Sequence, residues 1–289
     1  MIKTIHAPWI YRTRRLIGRT VTLLLLLLLL VAGSIVMLAP FVWMFLSSFK
    51  TNAEITATPL TWLPSKLLWR NYVEALQTFD FPRALFNSLL VAGTLTVAGA
   101  FTSALAGYIL AKYRFPGRDV IFTLIIALML VPFEVLMVPL SRVVVSLRLS
   151  NTYWGLLFFG PVNPFGIFLL RQFMLGLPDE LIDAARLDGA SQLGIFGLIV
   201  LPLVRPALAA FSILQFVWSW DNFVWPLIVV DARHMETLPL ALKSFSTMHG
   251  VQYSQLFAAS VLVVLPLLLV FLVFSKQIIQ GIALTGLKG

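Results

Sequence analysis

Runs of apolar residues, each about twenty long, alternate along this chain with polar stretches that carry proline and glycine. The runs cover approximately Val21–Phe45, Leu85–Leu110, Val120–Leu140, Tyr153–Leu170, Ala207–Val230 and Leu256–Phe274. A helix rises about 1.5 Å per residue, so roughly 20 apolar residues cross the ~30 Å hydrocarbon layer of a bilayer. The pattern therefore predicts six transmembrane helices. The first follows Arg12, Arg14, Arg15 and Arg19, as a signal peptide would. Its apolar stretch is longer than a signal core and no small-x-small cleavage site follows it, so it reads as an uncleaved span. The fifth has the least defined start, because Pro202 and Pro206 stand just ahead of it. In the fourth, Pro161 and Pro164 flank Asn163, which predicts a kink or break inside the membrane.

Composition strengthens this picture. The chain is 60% hydrophobic and 11% charged, with mean hydropathy +0.94, whereas soluble domains carry about 25% charged residues. The fold class is all-α: a polytopic membrane protein in which residues 1–289 form a single transmembrane domain. Cysteine is absent, which excludes disulfides, thiolate metal sites and thiol nucleophiles. His6, His234 and His249 are far apart and lack metal-ligand spacing. The net charge of +9 reads as basic cytoplasmic loops rather than as a nucleic-acid surface. With the N-terminus inside, the inner segments 1–20, 111–119, 171–206 and 275–289 hold 13 Lys and Arg residues, against 8 in the outer segments 46–84, 141–152 and 231–255. This bias has the sign of the positive-inside rule and predicts that both termini are cytoplasmic. The outer loop 46–84, with Pro59, Pro64 and Pro82 and several aromatics, is expected to fold as a short interfacial cap. Trp43, Trp62, Trp69, Trp154, Trp218, Trp220 and Trp225 fall near span ends or outer loops, where interfacial anchoring accounts for them.

One segment does not read as a span. After Pro178 come Asp179 and Glu180, the chemistry of a helix start: a fixed φ followed by acids at the positive end of the dipole. Leu181, Ala184 and Ala185 are expected on one face, with Leu187 and Asp188 beyond, and Asp183 can pair with Arg186 at i, i+3. Gly189 then breaks the helix, and a second short helix, Ala190–Val200, leads to Pro202. A helix–glycine–helix element with small residues on one side suits a groove on a partner.

The run Asp183-Ala184-Ala185, three residues, Gly189, nine residues, Ile199-Val200-Leu201-Pro202 resembles the cytoplasmic signature loop of bacterial ABC importer permeases, with Asp183 in place of the usual Glu. The stretch Trp220–Leu227 is similar to a Trp-Asn-Asp-Phe-x-x-Pro-Leu stretch of the carbohydrate-type subfamily, with the Asp and Asn swapped. Asn71-Tyr72, Phe86-Asn87-Ser88, the segment Pro132–Leu140 and the tail Thr285–Gly289 resemble that subfamily too. On these motifs the chain is identified as a member of the maltose-importer-type permease family, as the shorter of two paired permeases. The resemblance implies ATP-driven import of a sugar, oligosaccharide or related polyol across a bacterial or archaeal cell (inner) membrane. It implies a second permease subunit, an ATPase dimer that holds ATP and magnesium, and an extracytoplasmic substrate-binding protein. The coupling helix would be about Asp179–Gly194, with Glu180, Asp183, Ala184, Ala185, Arg186, Asp188, Gly189 and Ala190 contacting the ATPase and Lys288 and Gly289 supplementing them from the tail. The chain has no G-x-x-x-x-G-K-[ST] sequence and hence no nucleotide site or cofactor of its own.

Polar residues within spans are costly and tend to face a cavity or another helix. On that ground Glu134, Asn163, Gln215, Asp221 and Asn222 are candidates for lining a translocation path, with Asn87 a weaker one. An ABC permease for amino acids, peptides or ions is the alternative within the same class. An ion-coupled secondary transporter would need internal repeats, which the sequence does not show. An intramembrane enzyme would need a nucleophile–base or metal pair, and no such pair stands out.

Overall fold

The computed structural model of the chain describes residues 8–247 and 250–286. Helices dominate it. The long first helix, α1 (Pro8–Ser47), is followed by two short ones, α2 (Asn52–Thr56) and α3 (Arg70–Thr78). The second long helix, α4 (Phe81–Lys112), leads to α5 (Arg118–Met129) and α6 (Phe133–Ser146). Next come α7 (Tyr153–Leu157), α8 (Pro164–Leu175) and α9 (Asp179–Leu187). A helix that starts as α10 (Gln192–Ile195) passes through a π-helical stretch, Phe196–Val200, into α11 (Leu201–Leu203). Beyond it lie α12 (Arg205–Trp220), α13 (Val224–Val229), α14 (Leu238–Ala241) and the terminal α15 (Tyr253–Gly286). The strands are a minimal antiparallel pair, β1 (Ser246–Thr247) and β2 (Gly250–Val251).

Among the described residues three helices are long and apolar enough to cross a membrane unbroken, in α1, α4 and α15. Two bent pairs could each supply one more: α5 with α6 at 100°, and Gln192–Leu203 with α12 at 82°. The apolar runs expected as spans three, four and five are thus interrupted, and the interruptions have local causes. Pro132 has no N–H to donate and disfavours helical geometry at Val131, so α5 ends at Met129. Thr152 caps α7 by accepting from the Gly155 amide at 3.2 Å, and Asn163 caps α8 by accepting from the Gly166 amide at 3.2 Å. The stretch between these helices is non-helical at Gly160 to Asn163. Pro202 removes the donor that would bond Leu198 and crowds that carbonyl, which accounts for the wider π register just before it. The helix expected at Ala190–Val200 starts two residues later, because Ser191 caps it through the Gly194 amide at 3.1 Å, and it runs on to Leu203.

The bundle is centred on α4, which packs against α8 and α12, while α12 also packs on α15. Close approach depends on small side chains at every fourth position of α4: Gly99, Ser103, Gly107 and Ala111. A Cβ on Gly107 would lie 3.0 Å from the Arg171 amide nitrogen of α8, and one on Gly99 would lie 3.5 Å from Gln215 of α12. After α1, segment 48–78 folds as a compact cap. Asn71 donates to the carbonyls of Ser48 (2.8 Å) and Lys50 (2.9 Å), and the hydroxyls of Ser48 and Tyr72 are 2.7 Å apart. Lys50 is fully buried, donates to the Thr61 carbonyl and lies over the Trp43 ring at 4.0 Å. Burial holds its pKa below the usual lysine value, with partial compensation from Glu54.

Two of the seven tryptophans assigned to interfacial anchoring belong to the core instead. Trp220 and Trp225 are each 2% exposed. Their indole N–H groups donate to the carbonyls of Val263 (3.2 Å) and Gly155 (3.0 Å). A satisfied N–H lets a tryptophan bury its whole ring, so proximity to a span end did not decide their environment. Asn87 is likewise structural: it is fully buried, donates to the His234 and Glu236 carbonyls and accepts from the Tyr153 hydroxyl.

Candidate functional site

Three breaks in the apolar runs, between α5 and α6, before α8 and after α12, converge on one cavity of about 540 Å³, whereas the bend between α11 and α12 lies away from it. Val131 comes from the break between α5 and α6, the stretch Phe159–Asn163 from the break before α8, and Asn222 from the break after α12. Irregular backbone within an apolar bundle is tolerated where it is buried in protein or lines a cavity, so the broken helices and the cavity explain each other. Most of the lining is apolar. Its polar groups are Asn163, Gln215, Ser219 and Asn222. Asn163 donates to the Gln215 side-chain oxygen at 2.6 Å, and Gln215 reaches the Ser219 hydroxyl at 3.4 Å. Asn222 accepts from the Trp225 amide at 3.1 Å, which also caps α13. Each amide keeps hydrogen-bonding capacity after these contacts.

The structure therefore brings together three of the five path candidates, Asn163, Gln215 and Asn222. Glu134 and Asp221 are exposed and stand outside the lining, Glu134 in the first turn of α6 and Asp221 at the C-terminal cap of α12. Each is next in sequence to a lining residue, Phe133 or Asn222. Sequence reasoning missed Ser219 and the aromatic lining formed by Phe133, Phe159, Phe165 and Trp218. The i, i+4 spacing of Gln215 and Ser219 was a usable signal.

At the other end of the bundle lies the helix–glycine–helix element. α9 starts at Asp179 as its sequence predicts, and the Asp183–Arg186 pair forms at 3.0 Å. Gly189 has φ +77, the left-handed region that ends a helix at low cost only for glycine. The faces differ from the expectation. Ile182 and Ala185 point inward, whereas Leu181 and Ala184 face outward with Leu187, which is 90% exposed. Ala184 and Ala185 are about 100° apart around the helix, so they serve opposite surfaces. Glu180, Asp183, Arg186, Asp188, Gly189 and Ala190 are all exposed.

The inward face of α9 joins a core cluster that includes Tyr108 of α4, Leu170 and Met174 of α8, Phe196 and Val200 of the π stretch, and Ala207 of α12. Polar anchors unnoticed in the sequence hold the same joint. Lys112 donates to the Leu177 carbonyl and to Asp179, both at 2.6 Å, and the Tyr113 hydroxyl bonds Gln192. The Lys112 bond, aided by its charge, holds the Asp179 carboxyl below the usual aspartate range. Lys288 and Gly289 lie outside the described residues.

A bundle of broken apolar helices around a mostly apolar cavity with a few carboxamides, carrying an exposed amphipathic helix on its own core, is the architecture that comparison with known proteins assigns to transport permeases. The chain belongs to the family described as binding-protein-dependent transport system inner membrane component, which matches residues 103–283. It is 39% identical over 264 residues to the arabinooligosaccharides transport system permease protein AraQ of Bacillus subtilis, covering 89% of this chain and 92% of that one. It is 38% identical to the protein of the same name from Halalkalibacterium halodurans, over 86% of this chain and 91% of that one. It is 33% identical to the sn-glycerol-3-phosphate transport system permease protein UgpE of Pectobacterium atrosepticum, over 87% of this chain and 92% of that one. In fold it is similar to a chain of a bacterial ABC transporter involved in the import of the acidic polysaccharide alginate, with TM-score 0.77 and 24% identity, covering 92% of this chain and 97% of that one.

Proposed function

We propose that this chain is a membrane-spanning permease subunit of an ATP-driven importer for sugars or oligosaccharides, and that α9 is the helix through which an ATPase moves it. The reading places six spans in a bacterial or archaeal cell membrane with both termini in the cytoplasm. It pairs the chain with a second permease subunit, an ATPase dimer that binds and hydrolyses ATP with magnesium, and an extracytoplasmic substrate-binding protein. The family description and the names of the AraQ and UgpE relatives support the transport role and the carbohydrate-like cargo.

The observation that carries the mechanism is the shared core of α9, α8 and α12. Ile182 and Ala185 are packed against the same cluster as Leu170 and Ala207, and the far ends of those two helices hold Asn163 and Gln215 at the cavity. Closely packed interiors transmit displacement rather than absorb it. Closure of the ATPase dimer on ATP would push α9 as a rigid connector and tilt α8 and α12 with it, opening the cavity to one side of the membrane and then the other. Glu180, Asp183, Arg186, Asp188 and Ala190 stay available for the ATPase, with Leu187 at the centre of the outward face, and Lys288 and Gly289 would add a tail contact.

Gly189→Arg tests the reading. It demands a strained left-handed backbone and sets a long cation in the docking surface. We expect normal membrane insertion and loss of ATP-dependent uptake in vesicles. A normal uptake rate would overturn the docking role of α9, and uptake driven by a proton gradient without ATP would sink the importer assignment itself.

A further inference from the structure

Resting on the permease reading, the chemistry of the cavity narrows its cargo. We infer that the part of the path formed by this chain accepts uncharged polyhydroxylated ligands and rejects anionic ones such as sugar phosphates and uronate oligosaccharides. Among the described residues, no Lys, Arg, His, Asp or Glu lines the 540 Å³ cavity. Its polar groups are three carboxamides and one hydroxyl, each offering donors and acceptors together. Such groups match sugar hydroxyls, which also donate and accept at once. They cannot neutralise a carboxylate or phosphate, and an anion entering an apolar cavity with no cation to meet it keeps its full desolvation cost.

The apolar lining points the same way. Phe133 and Phe159 pack with ring centroids 4.8 Å apart, and Phe165 meets Trp218 edge-on at 5.6 Å. Both pairs present ring surface beside the carboxamides. Aromatic faces carry partial negative charge, which suits the C–H faces of pyranose and furanose rings and repels anions. The acidic residues Glu134 and Asp221 adjoin the lining residues Phe133 and Asn222 in sequence, and neither brings a cation to the cavity. The volume falls within the ~300–1,000 Å³ of ordinary small-ligand sites, enough to hold part of an oligosaccharide at a time.

The absence of cysteine from the chain supplies the experiment. A single Ser219→Cys reporter in the cavity, with Leu128→Cys as a second lining position, is labelled by a maleimide in the assembled importer in nanodiscs. Leu63→Cys, 73% exposed in the segment 48–78 and away from both the cavity and α9, is the remote control. Maltotriose and arabinotriose are compared with trigalacturonate and sn-glycerol-3-phosphate. At about ten times its Kd, a neutral trisaccharide should slow labelling of either cavity reporter roughly tenfold, leave Leu63→Cys unchanged, and lose this effect when Gln215→Leu is added. The anions should not protect. Protection by the anions equal to that by the neutral sugars, or no protection by either sugar at both reporters, overturns the inference. ATP-dependent uptake, followed in proteoliposomes with the binding protein, separates the two readings. Uptake of an anionic cargo overturns this inference alone and leaves the permease assignment intact. Absence of any ATP-dependent uptake counts against the assignment itself.

Discussion

Gly166 stands where three helices meet. It occupies the first turn of α8, and a Cβ there would lie 2.4 Å from the Ser103 hydroxyl of α4 and 2.5 Å from the Phe211 ring of α12. Neither neighbour can move freely, since Ser103 and Phe211 are both fully buried. Gly166→Ala should therefore cost about 1–3 kcal/mol by overpacking, seen as a lower unfolding midpoint of the detergent-solubilised protein. Gly93→Ala, with nothing within 4 Å, should stay within roughly 0.5 kcal/mol of the parent. A carboxylate helps to order the cap formed by segment 48–78. Glu54 accepts from the amides of Thr51 (2.9 Å) and Ser65 (3.0 Å), and these bonds, that to Ser65 foremost, bring its pKa down to about 2. A depressed carboxyl pKa means that the stabilising contribution is fully present above its ordinary value near 4.5 and is lost as pH falls through about 2. The Ser65 amide resonance should accordingly titrate with a midpoint near 2; a midpoint near 4.5 would show that the bond does not hold in the bilayer.

At the scale of elements, α9 is fixed at its start by one side chain. Lys112 is nearly buried and Asp179 mostly exposed, with side-chain exposures of 6% and 73%, so solvent screens their ion pair and the bond to the Leu177 carbonyl matters as much. Lys112→Met should cost only about 1 kcal/mol of stability. It should raise hydrogen exchange across Asp179–Leu187 and lower uptake more than it lowers the unfolding midpoint. Equal losses of both would mean that Lys112 serves the fold alone. The existence and start of α9 were legible, because Pro178, the two acids after it and Gly189 are local signals that act through backbone geometry and the helix dipole. Lys112 was not, since its partners are 65 and 67 residues away and nothing in the pattern near it announces them. The same division runs through the bundle. Long apolar runs give α1, α4 and α15 directly, and Pro161 and Pro164 announced the break before α8. The wall of the cavity stayed hidden because Phe133, Phe165 and Trp218 look like any lipid-facing or interfacial aromatics until the fold brings them to one lining. The spacing Gly99, Ser103, Gly107, Ala111 was readable as a packing stripe, but only the structure shows which helices use it.

For the whole molecule the question is how motion at one end reaches the other, and the two faces of α9 allow docking and transmission to be separated. Leu187 faces outward and touches no core cluster, so Leu187→Asp should leave the permease folded while weakening its hold on an ATPase. Ile182 faces inward, 4% exposed within the cluster shared by α4, α8 and α12. Ile182→Ala leaves the outward face intact and opens a void behind it, at a cost of about 2–4 kcal/mol. A connector with a void behind it can still be gripped, but part of each stroke is taken up by the void instead of by α8 and α12. The two substitutions should thus fail differently. In proteoliposomes Leu187→Asp should reduce ATP hydrolysis and uptake together, and the ATPase should co-purify poorly. Ile182→Ala should retain co-purification and most of the hydrolysis while uptake per ATP falls severalfold. The contrast depends on the packing of Ile182 against α8 and α12, so an Ile182→Ala importer that keeps its full uptake per ATP would show that force reaches the cavity by some path other than this core.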